Sequence, residues 1–227
     1  MTPRVGLVLP SVQVITEPLF ARAMPEIDFL ATRVALCGTA IADLEAMEEQ
    51  FPRAVDDLVA ARVDLLVSCC TASGALRGRE ADELACAEVT ARTGTPMTTT
   101  MLAVVEQLQE LGARRLTVIT PYPPALDAIE HQYLRDNGFE VLAAAGQSTS
   151  DGFAISLADP ADIAELARRT WDPTSDALLL ICMNWPAYAA TAALEDLGAP
   201  VVTSHGATLR ALRRRIAQDG RRAASDG

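Results

Sequence analysis

The chain has 227 residues, half of them apolar, with 30 acidic side chains against 19 basic ones and a formal net charge of −11. That balance belongs to a globular chain with a core, not to a disordered or fibrous one, and its acidity argues against nucleic acid as a partner. The longest nearly unbroken apolar run, 177–187, falls short of the roughly 20 residues that a membrane helix needs, so no membrane partner is expected.

From the N-terminus, Met1-Thr2-Pro3-Arg4 leads into an apolar stretch, 5–10, too short for a secretion signal, and a cytoplasmic location is expected. Short apolar runs then alternate with longer stretches of helical period, the pattern of βα units on a parallel sheet. Strands are predicted at 4–9, 28–36, 63–69, 115–120, 139–144, 176–182 and 200–203. Between the second and third, Leu44, Met47, Phe51, Val55 and Leu58 recur at helical steps, and Pro52 either kinks this helix or begins another. Gly74 and Gly78 flank a segment able to move, and residues 218–227, polar and small, are expected to be a disordered tail.

Three landmarks occur twice in the same order. Arg4 to Pro10 matches Arg115 to Pro121, a strand closed by proline with arginine six residues before it. Asp64 to Cys70 matches Asp176 to Cys182, an aspartate six residues before a cysteine. Gly94-Thr95-Pro96 matches Gly198-Ala199-Pro200, each leading into a second apolar stretch. Proline to cysteine spans 60 residues in one half and 61 in the other, so the chain is read as an internal duplication. The predicted fold is α/β: two similar Rossmann-like lobes related by pseudo-two-fold symmetry, with the site in the cleft between their strand ends. The expected division is 1–97 plus 205–217 for the N-terminal lobe, the latter a returning helix, and 98–204 for the C-terminal lobe.

Cys70 and Cys182 would then face one another across the cleft. A thiol just past a strand and entering a helix meets backbone N–H groups that favour an anion, so a lowered pKa is expected at both. The loops that follow, Thr71-Ala72-Ser73-Gly74 and Met183-Asn184-Trp185-Pro186, carry donors suited to a carboxylate. The odd count of five cysteines argues against a disulfide framework, and no metal site is expected, because the only close pair is adjacent and the two histidines stand far from it. Cys37, Cys69 and Cys86 are read as packing residues, Cys69 facing away from Cys70 by strand alternation.

These motifs, together with Val5-Gly6-Leu7-Val8-Leu9-Pro10-Ser11 at the start, resemble the aspartate/glutamate racemase superfamily over residues 4–215. Within it the chain is most similar to the branch of maleate cis-trans isomerases and arylmalonate decarboxylases. The resemblance implies catalysis without metal or organic cofactor by Cys70 and Cys182, one thiol from each lobe. It also implies a small carboxylate substrate held by Ser11, Gln13, Thr71, Ala72, Ser73, Tyr122, Met183 and Asn184. Arylmalonate decarboxylases carry glycine at the first cysteine position, so two thiols point to isomerase or racemase chemistry; maleate to fumarate isomerisation is the first candidate, with amino-acid racemisation, a decarboxylase-like activity or a silent acid-binding module as alternatives. Gln13 stands where maleate isomerases carry asparagine, and Trp185 adds bulk beside Asn184. Homo-oligomers are common in the superfamily.

Among the remaining residues, His131 is expected to be solvated, and His205 to lie near the cleft. Thr98, Thr99, Thr203 and Ser204 either line the cleft or cap the next helices. The basic run Arg210, Arg213, Arg214 and Arg215 is read as dipole complementation and solubility, and Asp64 and Asp176 as turn residues.

Overall fold

The computed structural model describes residues 2–36 and 38–225, with backbone alone for 219–225, so Cys37 lies outside the described residues. Two four-stranded parallel sheets follow one another. The first holds β1 (Arg4–Pro10), β2 (Asp28–Val34), β3 (Leu65–Ser68) and β4 (Met97–Thr99) in the order 2-1-3-4. The second holds β5 (Arg115–Thr120), β6 (Glu140–Gly146), β7 (Ala177–Leu180) and β8 (Val201–Thr203) in the equivalent order 6-5-7-8. In chain order the helices are α1 (Thr16–Ala23), α2 (Ile41–Glu48), α3 (Phe51–Ala60), α4 (Thr71–Arg77), α5 (Arg79–Thr93), α6 (Thr100–Glu110), α7 (Pro124–Asp136), α8 (Pro160–Thr170), α9 (Ala187–Ala190) and α10 (Ser204–Ser225).

The repeated landmarks have repeated physical jobs. Asp64 accepts the Arg4 N–H at 2.8 Å and returns its own N–H to the Arg4 carbonyl at 2.8 Å. Asp176 does the same for Arg115, at 2.8 and 2.7 Å, so each aspartate sets the register of the inner strand pair and is more than a turn residue. The central strands are buried along nearly their whole length, as parallel strands covered by helices must be. Gly94 and Gly198 both adopt left-handed backbone, φ 74° and 71°, ending the preceding helical segment before the last strand of each sheet.

Several predicted boundaries shift. Pro52 begins α3 instead of kinking one long helix, since a proline is tolerated in the first turn, where no N–H is needed. Residues 97–99 form β4, three residues too short to stand out as an apolar run, and the expected lobe boundary between residues 97 and 98 falls inside it. α10 runs as far as Ser225, through most of the stretch expected to be a disordered tail, and residues 226 and 227 of that stretch lie outside the described residues. α10 returns to the first sheet, where Leu209 and Leu212 join Val5, Leu7, Leu9, Phe20 and Val67. Its arginines are not merely a solvated end: Arg210 and Arg214 pair with Glu110, and Arg214 and Arg215 with Glu106, tying α10 to α6. Among the described residues no helix is long and apolar enough to cross a membrane.

Gly74 lies inside α4, where an added Cβ would come within 3.1 Å of the Met101 side chain, so it serves close packing of α4 on α6 and not hinge motion. Gly74→Val is expected to overpack this contact by about 1–3 kcal/mol and lower Tm by about 3–10 °C. Calorimetry of the variant against the parent checks it, and an unchanged Tm would contradict the packing role.

Candidate active site

The two repeated cysteines sit one step beyond strand ends. Cys70 is the N-cap residue of α4, in extended backbone and without a side-chain capping hydrogen bond. Cys182 lies past β7 with φ 156°, where its own N–H donates to Ser204 Oγ at 3.1 Å. Its sulfur accepts an N–H bond from Asn184 at 3.3 Å. Both line one cavity between the strand ends of the two sheets. Cys69 points the other way into the cluster under α10, as strand alternation requires, and Cys86 is packed in the core.

The cavity has two characters. Thr71, Ala72 and Tyr122 meet the thiols at one side, whereas Val12, Leu36, Leu44, Leu126 and Ile155 provide apolar walls. Among the described residues no charged side chain lines it. An anion there is therefore held by neutral donors: the hydroxyls of Thr71 and Tyr122, themselves bonded at 2.9 Å, and the first-turn amides of α4, which have no helical acceptor.

The thiols depart from expectation. Burial pushes Cys70 and Cys182 up to about 12 each, and the N–H donors offset only part of that desolvation. Glu48 raises Cys70 further, and Glu130 raises both. A strand-end position supplies donors, but loss of water outweighs them, and both sulfurs rest as neutral thiols.

The other predicted residues divide. Met183 lines the cavity, and its carbonyl accepts from the Thr16 hydroxyl at 2.9 Å. Gln13 and Asn184 also line it, but their amides are engaged elsewhere. Gln13 donates to the Cys69 carbonyl at 2.5 Å and accepts from Thr16 at 2.9 Å. Asn184 accepts from Val14 N–H at 2.9 Å and donates to the carbonyls of Val12 and Gly152, at 3.1 and 2.8 Å, so it joins loops of the two halves. Ser73 turns its hydroxyl to Glu48 in a network with Arg77, Asp82 and Thr99, behind the cavity. Ser11 is exposed and bridges to the Leu36 N–H at 3.0 Å, outside the lining. Trp185 is fully buried, with its indole N–H on Gln147 at 3.0 Å, and adds no bulk to the cavity.

His205 lies beneath the loops and not in the cavity, 3.3 Å from Thr16 Oγ1, and burial drives it down to about 4, which leaves it neutral. His131 is half-buried, not solvated, and its pKa falls for the same reason. Thr99 caps α6, Thr203 accepts the Gly206 N–H at 3.0 Å, and Thr98 accepts from Arg215 at 3.2 Å, so the helix-cap reading holds for Thr99 and Thr203. The residue that the sequence reading missed is Glu130, wholly buried in α7 beside the thiols. Its signal was present: Leu126, Glu130, Tyr133 and Leu134 lie on one helical face.

The family model described as arylmalonate decarboxylase matches residues 5–227. A maleate isomerase of Geobacillus stearothermophilus is 25% identical over 222 residues, covering 91% of this chain and 88% of the relative. Among solved structures, Nocardia farcinica maleate cis-trans isomerase bound to TRIS superimposes with a TM-score of 0.90 at 23% identity, over 95% of this chain and 92% of that one. A cysteine-to-serine mutant of the same Nocardia enzyme, with a covalently bound succinylcysteine intermediate, gives 0.89 at 23% identity over 95% and 93%.

Neutral resting thiols predict that iodoacetamide labels Cys70 and Cys182 at pH 7 as slowly as Cys86, also held near 12, with rates rising about tenfold per pH unit to pH 9. Peptide mass spectrometry reads each rate. Fast labelling of Cys70 that levels off below pH 8 would contradict the desolvation argument.

Proposed function

The chain belongs to the arylmalonate decarboxylase family, and from that membership we propose that it is a cofactor-independent cis-trans isomerase converting maleate to fumarate. The observation that carries this is the convergence of Cys70 and Cys182, from equivalent places in two repeats, on one cavity with neutral anion donors. Arylmalonate decarboxylation as the resemblance describes it has glycine where this chain has Cys70. Amino-acid racemisation fits less well, because no carboxylate among the described residues lines the cavity to meet an α-ammonium group.

In the proposed reaction Cys70 first gives up its S–H proton to bulk water, regaining one when the product has left, and its sulfur anion adds to one alkene carbon of maleate. The π pair moves to the neighbouring carbon, where the adjacent carboxylate delocalises it, and Cys182 S–H gives that carbon a proton. Rotation about the new single bond follows. Cys182 then takes the proton back, the carbon–sulfur bond breaks, and fumarate leaves with no net change in protons. Thr71, Tyr122 and the first amides of α4 hold the carboxylates. For the N-terminal lobe we propose the first sheet plus the returning α10, and for the C-terminal lobe the second sheet. The four described cysteines are unpaired thiols, which supports a reducing cytoplasmic location.

Proton NMR of the protein in deuterated buffer with maleate, aspartate, glutamate and an α-aryl malonate, each in its own tube, tests the proposal. Fumarate is expected from maleate alone. Cys70→Ala should abolish turnover and Cys182→Ala should lower it by about 10²-fold or more, with ligand binding retained in both. Deuterium at the α carbon of an amino acid, or full turnover by both variants, would overturn the assignment.

A further inference from the structure

Gln13 faces the cavity, yet its amide is spent on bonds that run to both cysteine-bearing loops. Its Nε2–H donates at 2.5 Å to the carbonyl of Cys69, the peptide that joins Cys69 to Cys70. That orientation is fixed, because a flipped amide would press two acceptor oxygens together. Gln13 Oε1 therefore accepts, and Thr16 Oγ1, from the first residue of α1, lies 2.9 Å from it and 2.9 Å from the carbonyl of Met183, the residue after Cys182. Both neighbours only accept, so the single Thr16 hydroxyl proton is shared between them. His205, the second residue of α10, completes the group with Nε2 3.3 Å from the same oxygen. Thr16 and His205 have no exposed surface, and Gln13 is buried beside them.

Only one tautomer of His205 fits. Among the described residues Nδ1 has no hydrogen-bond partner. A proton on Nδ1 would leave that N–H buried without an acceptor and make the bare Nε2 a third acceptor around one hydroxyl proton. A proton on Nε2 lets the ring donate to the Thr16 oxygen and leaves Nδ1 alone unpaired. Burial keeps the ring uncharged, and Phe20 seats it edge-on, with ring centroids 6.1 Å apart. From this arrangement we infer that His205, as its Nε2–H tautomer, turns the Thr16 hydroxyl toward Gln13 and Met183 and so holds the two cysteine loops in fixed relation across the cavity. The bonds run in one direction: His205 donates to Thr16, Thr16 to Gln13 and Met183, and Gln13 to Cys69. One end fastens the peptide that carries Cys70 and the other the residue next to Cys182. α10 is thereby built into the site, besides covering the first sheet. His205 does not line the cavity, so it is a positioning residue that acts through Thr16.

Two arms of the test need no substrate. NMR of the protein with nitrogen-labelled histidine at pH 7 should find His205 protonated at Nε2 and bare at Nδ1, with His131→Gln telling the two rings apart. An Nδ1–H ring would overturn the inference. The second arm measures iodoacetamide labelling at pH 9 by peptide mass spectrometry. His205→Leu and Thr16→Val should each speed labelling of both Cys70 and Cys182 by about threefold or more as the loops open, while Cys86, in α5, keeps the parent's rate. Thr16→Ser retains the hydroxyl and should match the parent. Equal acceleration of all three cysteines would mean a loosened fold and would overturn the inference, as would no acceleration in either variant. The third arm rests on the isomerase reading. With maleate, His205→Leu should lower kcat by about 10-fold or more and leave KM within about twofold, because Thr71 and Tyr122 lie outside the group. A raised KM with the parent's kcat would count against the positioning role. Absence of maleate turnover in the parent would overturn the function and leave the tautomer and the labelling rates to decide this proposal.

Discussion

Desolvation of two sulfurs is the constraint on which the rest of this structure depends. Removing Cys70 and Cys182 from water raises both to about 12, so neither can be a standing thiolate and any charge must be made inside the cavity. The surroundings suit that demand. The Asn184 N–H reaches the Cys182 sulfur, and hydroxyls in place of charged groups face the pocket. Preorganised neutral donors strengthen as charge develops and need no reorganisation, which is how such a site can favour a transition state over a bound acid.

The fold supplies the geometry. Parallel strands deliver their carboxyl ends to one side, and a second sheet of the same order delivers another set, so one kind of strand-end cysteine becomes a facing pair. Behind Cys70, the Ser73, Glu48, Arg77, Asp82 and Thr99 network anchors α4 from below, and Gly74 lets the helix press on Met101. Behind Cys182, Ser204 fixes the peptide N–H and Asn184 clasps loops from both halves. The net charge of −11 disfavours an anionic substrate at long range, but screening confines that effect and contact donors decide binding.

Much of this was legible in the sequence, because the features that define the repeat are local. Proline ends a strand, aspartate clamps the start of its neighbour, glycine ends the helical segment, and cysteine follows at fixed spacing; each leaves a mark readable without coordinates. What stayed hidden depends on distance or on competition between effects. Asn184 bonds Val12 across 172 positions, so no local pattern shows that its amide is occupied. The sign of the thiol shifts follows from burial defeating N–H donors, a balance of magnitudes that motif position does not carry. Glu130 was visible as one acid on an apolar helical face, but its complete burial shows only once the fold closes over α7.

The central claim is that Cys70 bonds covalently to the substrate while Cys182 manages the proton. Incubating the Cys182→Ser protein with maleate, quenching in acid and sequencing peptides by mass spectrometry tests it most directly. The account predicts one added substrate mass on the peptide that carries Cys70, located on that residue, with Cys69 and Cys86 unmodified. An unmodified Cys70 under conditions where the parent turns over, or an adduct confined to another cysteine, would contradict it.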